Sequence, residues 1–563
     1  MAPMTKRAGV RRRDFLRLGT ATLGLGLLSA CAGGAPPAPT QAPAATQAKP
    51  AATQAPAATQ APKPAATPAP TQAPAAATKA AGPRKGGTFT MARTAAIIEF
   101  NPLSLVAGHF GFMRAMFNTL TRYDVNLKPQ PELAEKWEFS ADGKTLTLKL
   151  RQGVKWHSGR EFTSDDVKFS VEWGSTNDQS TMRTLFKTIK AVETPDKYTA
   201  ALKFDTVNPG AFDVLDSLYM LDKETIDDRA KLAVGTGPFK FDKYIPNDRV
   251  EMVAFPDYWD KGKPYLDRYI ARQIPDLSAM AVNLESGAID AMWQPSQTDL
   301  QRLKKEGKFQ VDMGLAGAQM YSVIINTKYE PFKDKRVRQA IGWSMDRARY
   351  CKSVLLDLAE PTCLMWPKNS WAYFPDLEGK IGFNLEKAAS LLKEAGLEKG
   401  FDVEILTCSK LQPPANAMAL ILQADLKKIN INAKVVDQET AVFQNRITSK
   451  GDTQIVCHGY GRCSRDPGSL VTAAVFWYTE KQGGVASKFE SAEYDQLRAD
   501  LQSTLDQEKR KQICRKIQEL ALDECFNIPS APNARGFAFA PYVKGFSYDI
   551  DYAPIVGDIW LEK

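Results

Sequence analysis

Segments with the patterns of strands and helices alternate in the second half of the chain, and this alternation restricts the fold more than any other feature of the sequence. In chain order the segments are a strand at 401–405, a helix at 416–429, a strand at 431–435, a helix from about 440, and a strand at 453–457. A strand–helix–strand–helix–strand order predicts a parallel sheet with right-handed crossovers. We therefore expect an α/β fold.

The segment "HGYGRCSRDPGSL", 458–470, follows the last of these strands. Ligands of open parallel sheets bind beyond the carboxyl ends of the strands, so the segment is placed to line a crevice. The alternative is a solvent-exposed loop held by Asp466 and Pro467. Its candidate ligand-binding residues are Tyr460, Arg462, Cys463, Arg465 and Asp466.

The N-terminus has the pattern of an export signal. A basic stretch contains the twin arginine Arg12-Arg13 and resembles a Tat signal. The apolar run 18–30 is too short to span a bilayer. It ends "LLSAC", which resembles a bacterial lipobox, so residues 1–31 are expected to be a signal peptide with Cys31 lipidated. The alternative is an ordinary signal peptide cleaved near Ala30.

Residues 32–85 consist mainly of Ala, Pro, Thr and Gln. Such a composition cannot form a packed core and predicts a disordered tether. The chain has a net charge of +9, of which the first 30 residues contribute +5. No long basic stripe with interleaved aromatic residues follows, so nucleic acid is not an expected partner.

Several motifs then occur in a fixed order, from "PELAEKWEFSADGKTLTLKLRQGVKWHSGREFTSDDVKFSVEW" at 131–173 onward. The others are "VGTGPFKFDKY", "FPDYWDKGKPYLDRYIARQIPD", "NLESGAIDAM", "INTKYEPFKDKRVRQAIGWSMDR" and "NLEKAASLLKEAGLEKGFDVEIL". Together they resemble the family 5 extracellular solute-binding proteins, the oligopeptide, dipeptide and nickel receptors of ABC importers. The resemblance covers about 84–563.

This resemblance implies a two-lobed periplasmic-binding-protein fold of type II, cluster C. Lobe I is expected at 86–325 plus 532–563, with an extra subdomain at about 114–232, and lobe II at 326–531. The chain should pass between the lobes near Asn326 and again at about 530–535. The implied partners are a small-molecule or peptide ligand, an ABC permease and its ATPase, and the membrane that holds the lipid anchor. A monomer outside the cytoplasm is expected.

Enzyme motifs are missing from the sequence. It has only three histidines, and no GxSxG, HExxH or Walker loop. We expect no catalysis, cofactor or metal site. An exported enzyme or cofactor carrier, which a twin-arginine signal would suit, and a surface sensor or adhesin remain as alternatives.

Seven cysteines follow Cys31, so at least one is unpaired. Cys351 could meet Cys363, and Cys408 could meet Cys457. The Pro-bounded stretch "CLMWPKNSWAYFPD" places Trp366 and Trp371 in a loop. These aromatics either stack on a ligand or pack the loop onto its lobe.

The peptide-binding members of the family have a loop similar to the segment 458–470, with the pattern "GWxxDYxDP". The first aspartate of that pattern contacts the α-amino group of the ligand. Aligned on Asp466-Pro467, the tryptophan becomes Tyr460 and this aspartate becomes Cys463. A thiol cannot replace a carboxylate as partner of an ammonium group. The sequence predicts a solute-binding protein for a peptide-like or related solute, with an oligosaccharide, an anionic solute or a metal chelate as alternatives.

Overall fold

The computed structural model describes residues 82–563, except for 98–99, 105–109, 229–232, 315–318, 462, 464 and 534. The predicted signal peptide, Cys31 and nearly all of the predicted tether lie outside the described residues. Within the described part, no helix is both long and apolar enough to cross a membrane.

The described residues form the following strands. They are β1 Thr88–Arg93, β2 Thr121–Tyr123, β3 Pro129–Pro131, β4 Ala134–Phe139, β5 Thr145–Leu150, β6 Ala191–Asp196, β7 Thr199–Lys203, β8 Phe239–Ile245, β9 Arg249–Ala254, β10 Arg268–Gln273, β11 Ala291–Trp293, β12 Gln310–Met313, β13 Gln319–Ile325, β14 Asp402–Thr407, β15 Asn432–Asp437, β16 Ile455–Gly461, β17 Asn527–Pro532, β18 Gly536–Phe539, β19 Val543–Lys544 and β20 Trp560–Leu561.

The α-helices of the same residues are α1 Phe110–Met116, α2 Ser164–Thr176, α3 Arg183–Phe186, α4 Ala211–Ser217, α5 Leu277–Glu285, α6 Gln297–Glu306, α7 Lys335–Ser344, α8 Arg347–Ser353, α9 Leu385–Glu394, α10 Pro413–Leu426, α11 Thr440–Asn445, α12 Pro467–Ala473, α13 Ala492–Ser503 and α14 Gln507–Glu524.

The predicted parallel unit in the second half of the chain is confirmed. Strands β14, β15 and β16 alternate with α10 and α11, and β14 pairs in parallel with both of the other strands. They belong to a five-stranded sheet of order β15-β14-β16-β13-β17, in which β13 runs antiparallel to its two neighbours.

A second sheet has seven strands in the order β12-β18-β11-β1-β10-β9-β8, of which β18 comes from near the C-terminus. In it, β1 lies between the parallel strands β10 and β11. The two sheets have separate apolar cores, one around Phe89 and Met91 and one around Val323 and Ile405. The α/β two-lobed fold is thus confirmed, and we call the parts built on the seven- and five-stranded sheets the first and second lobes.

Strand β13 corrects one predicted boundary. It was expected to end the first lobe at residue 325, yet it pairs with β16 and β17 inside the second lobe. The chain therefore changes sheet between Met313 and Gln319, and the boundary near Asn326 is wrong by one strand. A strand that is buried on both faces fits either sheet, so its sequence does not show which one it joins. The chain returns between β17 and β18.

A separate sheet of order β4-β5-β7-β6 lies within the first lobe. The turn at Asp142-Gly143 joins β4 to β5, and Gly143 has the positive φ of 67° that such a turn requires. Helix α2 packs against this sheet and begins at Thr163 with a capping box to Asp166.

The seven cysteines after Cys31 are all buried and free. Neither Cys351 and Cys363 nor Cys408 and Cys457 form the bridges that the sequence left open. These cysteines therefore pack in the second lobe as small apolar side chains and form no cross-links.

Candidate functional site

The segment 458–470 begins within β16, with the last four residues of that strand, and ends within α12, with the first four residues of that helix. Arg462 lies outside the described residues. His458 is buried between the rings of Phe443 and Phe476, at centroid distances of 5.2 and 5.4 Å. Burial lowers the pKa of His458 to about 4, so its ring is neutral at physiological pH. Among the described residues, no cluster of three or more His, Cys, Asp or Glu could hold a metal.

Tyr460 and Cys463 lie inside the second lobe in this structure. Tyr460 is 1% exposed; its hydroxyl donates to the carbonyl of Met365 at 3.4 Å, and its ring packs edge-on against Trp477. The Cys463 thiol is fully buried, 3.7 Å from the carbonyl oxygen of Tyr460. Burial raises the pKa of Cys463, so the thiol is uncharged. No negative charge stands at this position.

Asp466 is held by the second lobe itself. Its carboxylate accepts hydrogen bonds from both terminal nitrogens of Arg510, at 2.8 and 2.5 Å, and from the backbone N–H of Gly468 at the start of α12. Both side chains of the ion pair are more than 90% buried. These bonds make Asp466 a helix cap and an ion-pair partner, with its charge already neutralised.

Arg465 connects the two lobes. Its guanidinium pairs with Asp216 of α4 and with Asp551 near the C-terminus, the latter at 2.5 Å. These carboxylates raise the pKa of Arg465, although burial alone would lower it. Two carboxylates of the first lobe therefore already neutralise the charge of Arg465.

Asp213 forms a second connection. It accepts hydrogen bonds from the Asp466 backbone N–H at 3.0 Å, from the Ser469 hydroxyl, and from the Tyr123 hydroxyl at 2.8 Å. Burial, together with the nearby Asp466 carboxylate, raises the pKa of Asp213 to about 6.

Behind these contacts, Arg114 of α1 pairs with Asp549 and with Asp216 at 3.1 Å. Burial raises the pKa of Asp549 to about 6, against the opposing effect of Arg114. The buried acids and arginines together form what we call the interlobe cluster. Its members are Arg114, Asp213, Asp216, Arg465, Asp549 and Asp551.

The two candidate tryptophans pack the loop that carries them. Trp366 is 1% exposed and its indole N–H donates to the carbonyl of Pro467 at 3.2 Å. Trp371 is half-buried, with the Arg510 guanidinium 5.3 Å from its ring centroid. These contacts favour the packing alternative over ligand stacking.

Beside Asp466, a groove of about 700 Å³ lies between the lobes. The first lobe lines it with residues between 184 and 214, and the second lobe with residues between 466 and 510. The sequence alone does not reveal this groove, because its walls come from segments more than 250 residues apart. Nothing in either segment alone indicates a shared cavity.

Comparisons with known proteins agree with this architecture. The sequence model of the bacterial extracellular solute-binding proteins, family 5 Middle, matches residues 128–480. The dipeptide-binding protein of Escherichia coli K12 is 28% identical over 78% of this chain and 90% of its own length. A putative ABC transporter peptide-binding protein of Brucella ovis is 31% identical over 67% of this chain and 73% of its own. Among solved structures, the periplasmic binding protein DppA of Helicobacter pylori, in complex with the peptide STSA, covers 85% of this chain and 99% of its own, with 26% identity and a TM-score of 0.68.

Proposed function

The chain belongs to the bacterial extracellular solute-binding proteins of family 5, and on that premise we propose that it captures a peptide-like or related small solute between its lobes and delivers it to a membrane permease. It is a substrate-binding protein of the ABC-transporter type. The proposed mechanism is hinged closure: a ligand that contacts both lobes stabilises the closed state, and the permease recognises that state. The protein carries out no chemistry itself and acts as a monomer.

The observation that carries this proposal is the position of the segment 465–469 between the lobes. It follows the carboxyl end of β16, contacts the first lobe through Asp213 and Asp216, and borders the groove. A ligand in this region would touch both lobes, as hinged closure requires. The two crossings of the chain, one between β12 and β13 and one between β17 and β18, would serve as the hinge.

The experiment that tests this proposal begins with native mass spectrometry of the purified full chain, which would identify a co-purified ligand. Adding the identified ligand to stripped protein should reduce the radius of gyration in small-angle scattering and raise the melting temperature, because it binds only the closed native state. An unchanged radius of gyration at saturating ligand would contradict closure.

We further propose that ordinary peptides are not held through a free amino terminus at Cys463. An aspartate there would supply a charge-assisted hydrogen bond worth about 1.5–3 kcal/mol, or roughly 10–150-fold in affinity, and the neutral thiol does not. N-acetylation of di- to pentapeptides should therefore change their affinity for the wild-type chain by much less than this. Calorimetry with paired free and acetylated libraries measures the difference.

The matched variants for this prediction are Cys463→Ser, which stays neutral, and Cys463→Asp, which restores the carboxylate. Only the aspartate variant should gain a dependence on the free amino group. The prediction is wrong if wild-type binding is strong and lost on acetylation and Cys463→Asp brings no improvement. Because Tyr460 is buried, an N-blocked peptide or an anionic solute fits the structure better than a sugar stacked on that ring.

We also propose that Cys31 is acylated and holds the protein at the outer face of a membrane by a lipid anchor. Acyl chains followed by a charge-poor tether anchor a protein without spanning the bilayer. Cys31→Ala should move most of the exported protein from the membrane fraction to the soluble fraction. Phase separation in detergent is the measurement, with Cys31→Ser as a second variant. Unchanged membrane association of both variants would contradict the anchor.

A further inference from the structure

Three parallel strands of the first lobe end in one row of side chains. Arg93 is the last residue of β1 and lies in register with Gln273, the last residue of β10. On the other side Ala92 pairs with Met292, so Arg93 and Trp293 are the next residues on their strands. Side chains in register on parallel strands project from the same face of a sheet. The row therefore places a cation between an amide and an indole at the carboxyl edge, where ligands of such sheets bind.

Arg93 pairs with no carboxylate among the described residues. It is 1% exposed, and its Nε donates to the carbonyl of Ala95 at 3.2 Å, but Nη1 and Nη2 are buried and have no hydrogen-bond partner in the part of the chain that the structure describes. The guanidinium lies 4.9 Å from the ring centroid of Trp293 and 5.5 Å from that of Phe112. In the described part of the chain it is the only arginine with both terminal nitrogens in this state.

Two other buried arginines of this structure differ from Arg93 in this respect. Arg114 and Arg465 are also largely buried, and each pairs with two carboxylates of the interlobe cluster. No described carboxylate pairs with Arg93. Burial lowers the pKa of Arg93 to about 10, which leaves the guanidinium charged at neutral pH. A buried cation with no counter-charge is costly, so its partner is to be sought outside the chain.

The row also lies next to the passage between the lobes. The indole N–H of Trp293 donates to the carbonyl of Tyr552 at 2.7 Å. The Tyr552 ring packs so closely on Gly314 that a Cβ there would clash, and the guanidinium of Arg535 lies 6.0 Å from its centroid. Gly314 and Arg535 flank the two segments in which the chain changes sheet. Arg93 is thus connected through Trp293 and Tyr552 to residues beside the two crossings of the chain.

We propose that Arg93 is the anchor for a carboxylate group of the transported solute. The inference rests on the proposed function and names the class of solute. Both terminal nitrogens lack a partner among the described residues, so they are left for an acceptor with two oxygens, as in a bidentate carboxylate pair. Gln273 has a buried carbonyl oxygen without a partner beside it, which would accept from an N–H or O–H of the same solute. The cation at Arg93 and the absence of a carboxylate at position 463 both favour an anionic solute.

The experiment is calorimetry on the full chain purified in detergent. The probes are N-acetylated tri- to pentapeptides with a free carboxyl terminus, the same peptides with an amidated terminus, glutarate, and inorganic phosphate. The variants are Arg93→Met, which removes the charge, and Arg93→Lys, which keeps it without the fork. Arg272→Met is the matched control, because Arg272 lies on the neighbouring strand, is only half-buried and faces Asp248 at 3.8 Å.

Amidation of the peptides, or Arg93→Met, should each weaken binding by at least about 30-fold, as expected when one partner of a buried charge pair is removed. Arg93→Lys should fall in between, and Arg272→Met should change affinity less than about 5-fold. Without probe, Arg93→Met should melt at the same temperature as the wild type or higher, because an unpaired buried charge is gone. The amidation comparison needs no variant and so stands even if a variant fails to fold.

The outcomes separate this inference from the proposed function. If free and amidated peptides bind the wild type equally well, or if Arg93→Met binds the free-carboxyl probes as the wild type does, the role of Arg93 is wrong and peptide binding stands. If glutarate binds through Arg93 and no peptide does, the carboxylate anchor stands and the peptide class is wrong. Binding of phosphate alone, or of no carboxylate probe at all, overturns the anchor.

Discussion

Replacing Asp466 by alanine should lower the free energy of unfolding by about 3–5 kcal/mol at neutral pH. The reason is that Arg510 would be left in the second lobe as a buried cation without its only two-point partner. Loss of the cap on α12 adds to the effect, typically by about 1 kcal/mol. Urea denaturation of the full chain measures the loss.

Two comparisons make this prediction sharp. Asp466→Asn keeps an acceptor for the Gly468 N–H but loses the charge. Compared with Asp466→Ala, it should therefore regain only the stability that the helix cap contributes. The matched control is Asp376→Ala: its partner Arg515 lies on the same helix as Arg510, but both side chains of that pair are at least 40% exposed. Exposed pairs contribute about 0–1 kcal/mol. A loss below about 1 kcal/mol for Asp466→Ala would contradict the structural role assigned to it.

The sequence predicted those parts of the fold that local patterns determine. The alternation at 401–457 specified β14, β15 and β16 and their parallel pairing. Strand β13 was assigned to the wrong sheet, because a continuous apolar run carries no information about which of two sheets will pair with it. Only the hydrogen bonds to β16 and β17 decide this.

The candidate site was less predictable, for a physical reason. The sequence indicated that the segment 458–470 lies at a strand end. It did not show that Arg510, 44 residues after Asp466, neutralises that acid, or that Asp216 and Asp551 of the other lobe neutralise Arg465. Charges in a sequence cannot be called free until their long-range partners are known. The same holds for Arg93, which is notable because both of its terminal nitrogens lack a hydrogen-bond partner among the described residues.

The interlobe cluster also bears on closure. Arg465 and Ser469 of the second lobe bond to acids of the first, so the lobes are held by polar contacts in addition to any ligand. Such contacts fix the register in which the lobes meet more than they add stability, since desolvation offsets much of the Coulomb attraction. Their strength depends on the ionisation of the acids, and this makes the cluster sensitive to pH.

Raising the pH from about 4 to about 6 should reduce the stability of the protein through Asp213 and Asp549. The pKa of each is raised by burial to about 6 in the folded state, against an ordinary value of 3.8. Over this window the unfolded chain has released both protons while the folded chain still holds them, so stability falls as the pH rises. Each pKa unit corresponds to about 1.4 kcal/mol, which gives at most about 3 kcal/mol for each acid.

The test is the free energy of unfolding as a function of pH for the wild type, Asp213→Asn and Asp549→Asn. An amide has the shape of the carboxyl group and does not ionise, so each variant should remove its own share of the slope between pH 4 and 6. Asp178→Asn is the control, because that side chain is 99% exposed and its replacement should leave the slope as it is in the wild type. Other carboxyl groups contribute to every curve alike, so the difference between variants isolates the two acids. A slope that neither buried-site variant alters would show that both acids are already ionised below pH 4 in the folded protein, and would remove the pH sensitivity assigned to the interlobe cluster.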